Sequence, residues 1–280
     1  MLDLGGVAGV DCSIVDVFAE RPLEGNQLAV IRRCAQLDAV AMQAVAREMN
    51  FSETTFVVDE RPGEASVRIF TKDRELPFAG HPTLGTAWVL GRDRSSYTLD
   101  LAAGRVPVTF EDGIAWMRPP AVAMGDLLDR QRAAALLGLD VSDLDGRYPI
   151  RFATLGPWFL LAGVRSLDAL RRTAVDPAVY EDVAAGGWLS LFVFAEDPYN
   201  EDAHFAARML TFHGTLHEDP ATGSANAAFA ALLRSLGRRG RVVVEQGFEI
   251  ARPSRLYLDI GERLRVGGKV HPVLSGTLRY

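Results

Sequence analysis

Apolar residues fall into short alternating runs separated by polar turns, with a few stretches of helical spacing among them. Ile14–Phe18 alternates with a period of two and reads as a strand. Glu24-Gly25-Asn26 is a turn, and Leu28–Ile31 is apolar throughout, as in a buried strand. From Leu37 to Met49 the apolar positions are 37, 40, 41, 44, 45 and 49, which is helical spacing. Asp38 suits the start of that helix, and Asn50 its end. Thr54–Val58 is β-branched and apolar, so Phe51-Ser52-Glu53 is expected at a helix-to-strand corner.

Ser66–Phe70 is the next strand. A loop from Arg74 to Gly80 follows, then a helix opening at His81 or Pro82 and running to about Leu90. Tyr97–Leu101, Val106–Phe110 and Ile114–Met117 complete the first half as strands, and Arg118-Pro119-Pro120 breaks the chain. In the second half helices are expected at Asp126–Leu137, Ser166–Arg172 and from Gly223-Ser224 to about Leu236. Strands are expected at Phe152–Leu155, Trp158–Leu161, Leu189–Phe194, Ala206–Phe212, Val242–Glu245, Leu256–Ile260, Arg263–Val266 and Lys269–Leu274, with His213–Thr222 as a loop. One unit recurs. Arg68-Ile69-Phe70-Thr71, a loop with Glu and Pro, and Gly80-His81 match Arg208-Met209-Leu210-Thr211, a loop longer by three residues, and Gly223-Ser224. Such a repeat implies two similar lobes.

Composition narrows the function classes. With 280 residues, 48% hydrophobic and 24% charged, the chain can bury a large core. A net charge of −6 with no basic block argues against nucleic acid or an anionic membrane as partner. Cys12 and Cys34 are the only thiols; with no signal-like segment among residues 1–10 they point to a reducing, cytoplasmic setting. No apolar run of membrane length occurs.

Three segments can carry chemistry. In Glu218-Asp219-Pro220-Ala221-Thr222-Gly223-Ser224, small residues stand where a helix begins; free backbone N–H groups there can cradle an anion, or Thr222 or Ser224 can simply cap the helix. Phe78-Ala79-Gly80-His81-Pro82 repeats the device, and a histidine at a helix N-terminus is disfavoured as a cation, so it can donate as a neutral ring or serve only in packing. Glu53, wedged between helix and strand, would suit a general base if partly buried, and would be an ordinary surface residue if not. His213 and His217 lie in a loop where their spacing fixes no common face, so no metal site is expected; no phosphate loop, dinucleotide fingerprint or hydrolase elbow occurs.

These segments resemble the PhzF-like family, named for phenazine biosynthesis. The resemblance is carried by Gly25-Asn26-Gln27-Leu28-Ala29-Val30, Asn50-Phe51-Ser52-Glu53-Thr54-Thr55-Phe56-Val57, Glu75 to Gly85, Glu218 to Ala225, Glu245-Gln246-Gly247, Arg252-Pro253-Ser254 and Val266-Gly267-Gly268, in family order from about residue 12 to 276. It implies an α+β, diaminopimelate-epimerase-like fold of two similar lobes, each a mixed, barrel-like sheet around a central helix. The lobes are expected at 1–118, with Glu53 and Gly80-His81, and 119–280, with Asp219 and Gly223-Ser224, the final strand returning to the first. It implies a cofactor-independent isomerase that moves a proton within a small carboxylate substrate, as the family prototype does between ring carbons of a dihydro-hydroxyanthranilate. On that pattern Glu53 takes and returns the proton, while His81 and Asp219 position polar groups. Ser52, Gly80, Gly223 and Ser224 form the substrate-binding set, with no metal and no cofactor. A homodimer in a biosynthetic pathway fits the resemblance. Gln27, Lys72 and Ala251 depart from the family pattern. The competing readings are an amino-acid epimerase or racemase, and a non-catalytic binding protein on the same fold.

Overall fold

The computed structural model describes residues 9–212 and 214–280. The chain forms two units, one of residues up to Met117 together with Gly268–Tyr280, the other Arg118–Gly267.

In the first unit the strands are β1 (Gly9–Val17), β2 (Asn26–Arg32), β3 (Glu53–Arg61), β4 (Glu64–Phe70), β5 (Glu75–Leu76), β6 (Ser96–Leu101), β7 (Gly104–Glu111) and β8 (Ile114–Met117), with helices α1 (Ala39–Met49) and α2 (Gly80–Gly91). Helix α1 follows from its sequence at both ends. The Asp38 carboxylate accepts the backbone N–H of Ala41, and Asn50 closes the helix in the left-handed region at φ 53°. Its buried positions Met42, Val45 and Ala46 face a core with Ala29, Ile31, Phe56 and Phe70. Strands β2 and β3 run parallel, so α1 is the crossover between them; β4 and β6 are likewise parallel and bracket β5 and α2. The other pairs, β1 with β2, β3 with β4, β6 with β7 and β7 with β8, are antiparallel.

Helix α2 shows no single apolar face because it is buried nearly all round, packed on β1, β2 and β6. Gly85 and Gly91 allow that approach. A Cβ on Gly85 would lie 2.6 Å from a Leu28 methyl, and one on Gly91 2.3 Å from the Tyr97 ring.

The second unit holds β9 (Ala123–Leu127), α3 (Arg130–Leu136), β10 (Arg151–Thr154), β11 (Trp158–Val164), α4 (Leu167–Arg172), α5 (Pro177–Ala184), β12 (Leu189–Ala195), β13 (Phe205–Phe212), β14 (Leu216–Asp219), α6 (Gly223–Ser235), β15 (Gly240–Gln246), β16 (Ser254–Ile260) and β17 (Leu264–Gly268). Its order of pairings matches the first: β11 and β12 are parallel around α4 and α5, β13 and β15 are parallel around β14 and α6, and β15 and β16 are antiparallel. Helix α6 is buried from Ala225 to Leu233, and Phe229 stands among Phe192, Phe194 and Phe205 with ring centroids 4.3–5.5 Å away. The last strand, β18 (Val270–Arg279), pairs with β1 in the first unit.

Several expectations need correction. The helix expected at Asp126–Leu137 begins only at Arg130, because Asp129 caps it by accepting from the N–H groups of Gln131 and Arg132; Asp126 and Leu127 belong to β9. Both loops of the repeat contain short strands, β5 and β14, folded back on β4 and β13. Helix α5, opened by Asp176 and Pro177, was not anticipated. Glu53 is the first residue of β3 rather than part of a preceding corner. Among the described residues no helix is long and apolar enough to cross a membrane.

Candidate active site

In the first unit, the parallel pairing of β2 with β3 sets Glu53 beside Leu28, and the start of α2 brings His81 to them. Nδ1 of His81 lies 3.4 Å from Oε2 of Glu53. The glutamate side chain retains 17% of its exposure and the histidine 5%. That separation would suit an ion pair, but burial pushes the imidazole's pKa down from 6.5 to about 3, outweighing the opposite pull of its hydrogen bond to Gln27. The ring is therefore neutral near pH 7. Its Nε2 is 3.3 Å from the Gln27 carbonyl oxygen. A carbonyl only accepts, so Nε2 carries the ring proton in that bond and Nδ1 turns a lone pair toward Glu53. The helix start contributes too: Ala79, the N-cap of α2, has no polar side chain with which to cap the first N–H groups at Gly80 and His81. Gly80 is buried, and Ser52 is exposed immediately before β3.

In the second unit the parallel arrangement recurs. Thr222 is the N-cap of α6 and its side chain makes no capping bond. Its hydroxyl instead donates to Oδ2 of Asp219. Gly223 is buried and Ser224 half-buried at the first turn of α6. The structure thus brings Glu53, His81 and Gly80 together, and separately Asp219, Gly223 and Ser224.

The neighbouring Glu218 and His217 make contacts of their own. Glu218 is committed to Arg208 at 2.8 Å. His217, exposed on β14, contacts the Thr215 hydroxyl at 2.9 Å. His213 lies outside the described residues. Among the described residues no group of three His, Cys, Asp or Glu side chains is placed to hold a metal ion. Cys12 and Cys34 are both buried, and burial raises both thiol pKa values, Cys34 to about 11. A cavity of about 300 Å³ lined by Asp145, Gly146, Arg147 and Arg165 shares none of the residues above.

Sequence reasoning gave no role to Gln246 or Asn226, both fully buried and hydrogen-bonded to the Asp219–Thr222 segment. The available signal was the Glu245-Gln246-Gly247 run, whose polar side chains follow directly on the apolar Val242-Val243-Val244 and are buried like them.

The model of the phenazine biosynthesis-like protein family matches residues 15–276. An uncharacterized isomerase of Mesorhizobium japonicum is 34% identical, with 95% of this chain and 97% of that protein covered. The trans-2,3-dihydro-3-hydroxyanthranilate isomerase of Pseudomonas aeruginosa is 36% identical over 87% of this chain and 88% of its own. Among solved structures, a phenazine biosynthesis protein of the PhzF family from Bacillus anthracis superposes with a TM-score of 0.85 at 24% identity, covering 97% of this chain and 99% of that one, which establishes the fold. The chain belongs to the phenazine biosynthesis-like protein family and, like its relatives, is an isomerase.

Proposed function

We propose that this isomerase moves a proton between carbons of a small carboxylate without a cofactor, with Glu53 as the group that removes and returns it. The observation that carries this is the neutral His81 ring held 3.4 Å from Glu53. The Glu53 carboxylate takes the proton from a carbon acid, and the electron pair left on carbon spreads into the conjugated substrate. The same proton is then delivered to a second carbon, so no redox partner is needed. While Glu53 holds the proton, Nδ1 of His81 offers it an acceptor. In the first unit Ser52 and the backbone N–H group at Gly80 serve substrate binding; in the second the backbone N–H groups at Gly223 and Ser224 suit a carboxylate, and Asp219 orients a polar substituent. The uncapped starts of α2 and α6 support this use.

The two-lobed, barrel-like architecture belongs to the same reading, supported by the matching strand order of the two units. A substrate of the dihydro-hydroxyanthranilate type, a biosynthetic setting and a homodimer follow from the family resemblance. The test is incubation of the protein with trans-2,3-dihydro-3-hydroxyanthranilate and other unsaturated ring carboxylates in deuterated water, followed by NMR. Migration of a double bond with proton movement supports the proposal. Deuterium entering only the α-carbon of amino acids, with inversion, would replace it by epimerisation. Binding with no exchange in any compound would leave a binding protein.

A further inference from the structure

The Glu245-Gln246-Gly247 run is not used by the reaction as described, yet it is built against the Asp219 segment. Gln246 is fully buried on β15, and its amide makes four hydrogen bonds. Two of them, to backbone groups, fix its orientation. Nε2 donates to the Asp219 carbonyl at 2.8 Å, and a carbonyl can only accept. Oε1 faces the Thr222 N–H at 3.4 Å, and an N–H can only donate. Asn226 is fixed in the same way: its Nδ2 donates to the Thr222 carbonyl at 3.0 Å and to Gln246 Oε1 at 3.1 Å.

The direction of the remaining contacts then has one solution. Gln246 Nε2 is 3.3 Å from Thr222 Oγ1, so that hydroxyl accepts from it. The single proton of Thr222 is left to point at Asp219 Oδ2, where the hydroxyl is in hydrogen-bond contact. Polarity runs Asn226 to Gln246 to Thr222 to Asp219, and ends on a carboxylate oxygen that must accept. Gly247 completes the clamp at φ 79°. A Cβ there would come 2.6 Å from the Pro220 carbonyl oxygen and 2.5 Å from that of Arg252, so the β15 turn sits directly on the backbone of the Asp219–Thr222 loop.

We infer that Gln246 and Thr222 are positioning residues for Asp219: the oriented Gln246 amide turns the Thr222 hydroxyl so that it donates to the Asp219 carboxylate and aims it. The inference rests on the reading of Asp219 as a group that orients substrate. It says nothing of Glu53.

The experiment follows the Asp219 carboxyl carbon by 13C NMR across pH in the full-length protein, assigned by loss of the signal in Asp219→Asn. Thr222→Val removes the donor and keeps the shape, Thr222→Ser restores it, and Gln246→Glu takes away the amide donor so that the hydroxyl turns to residue 246. Loss of a donor to a charged carboxylate raises the pH at which it titrates, here by about one unit. Thr222→Val and Gln246→Glu should both show that rise, with Thr222→Ser titrating like the native protein. The acid limb of kcat/KM should move with the NMR midpoint, and kcat should fall more than KM changes. An unmoved Asp219 midpoint in a folded Thr222→Val or Gln246→Glu protein overturns the relay. A moved midpoint with an unchanged rate profile upholds the relay and removes Asp219 from the reaction.

Discussion

Nδ1 of His81 approaches Oε2 of Glu53 to 3.4 Å while Nε2 of the same ring is tied to the Gln27 carbonyl. One ring thus links the first turn of α2 to the adjacent ends of β2 and β3. Its neutrality has a measurable consequence for stability. In the folded chain the imidazole takes up a proton only near pH 3, whereas in the unfolded chain it does so near 6.5. Between those values the unfolded state binds more protons. Stability from this group is therefore fully present above pH 6.5 and is lost as pH falls toward 3. From pH 7 to pH 5 the loss is about 2 kcal/mol. Denaturant unfolding of native protein and His81→Gln at the two values should show that difference in pH dependence. Equal pH dependence would mean the ring is charged or exposed.

The two units carry the same arginine–glutamate pair at the start of their repeated segment, in unequal surroundings. Arg208 and Glu218 keep 10% and 6% of their exposure, and Arg208 also donates to the carbonyls of Leu170, Arg171 and Thr173 at the end of α4. Arg68 and Glu75 keep 33% and 38%. Arg208→Met strands a buried carboxylate and should cost about 3–5 kcal/mol. Arg68→Met should cost less than about 1 kcal/mol. Urea midpoints at constant m-value distinguish the two; similar losses would contradict the assigned burial.

What could be read from the sequence follows from where side chains declare their surroundings. The α1 boundaries were legible because Asp38 and Asn50 are end signals with local causes. The recurrence of Arg, Glu, Pro and Gly foretold the repeated strand–loop–helix unit. β5 and β14 were not legible, since strands of two and four residues folded back on a neighbour carry no periodicity of their own. The start of α3 was misread because Leu127 and Leu128 continue an apolar helical spacing that only the Asp129 cap interrupts. At the site, Glu53 and His81 stood out as residue types, but their meeting depends on the β2–β3 register, which is a long-range pairing. The same holds for Gln246, which reaches Asp219 through β15.

If the start of α6 cradles a carboxylate, Gly223→Ala should weaken anion binding more than it changes stability, since alanine is the better helix former and a Cβ obstructs close approach. Calorimetric titration of native and substituted protein with anthranilate and anthranilamide forms a cycle. Anthranilate should lose roughly tenfold in affinity, about 1.4 kcal/mol, and the amide much less. Equal losses would place the carboxylate elsewhere.

The central claim is that Glu53 moves the proton, and Glu53→Gln tests it most directly because the amide keeps the shape and lacks the base. On a substrate that the native protein isomerises, the rate of deuterium uptake from the solvent and of product formation should fall by about 10²–10⁴, with the melting temperature and carboxylate affinity retained. Native rates in Glu53→Gln would contradict the account.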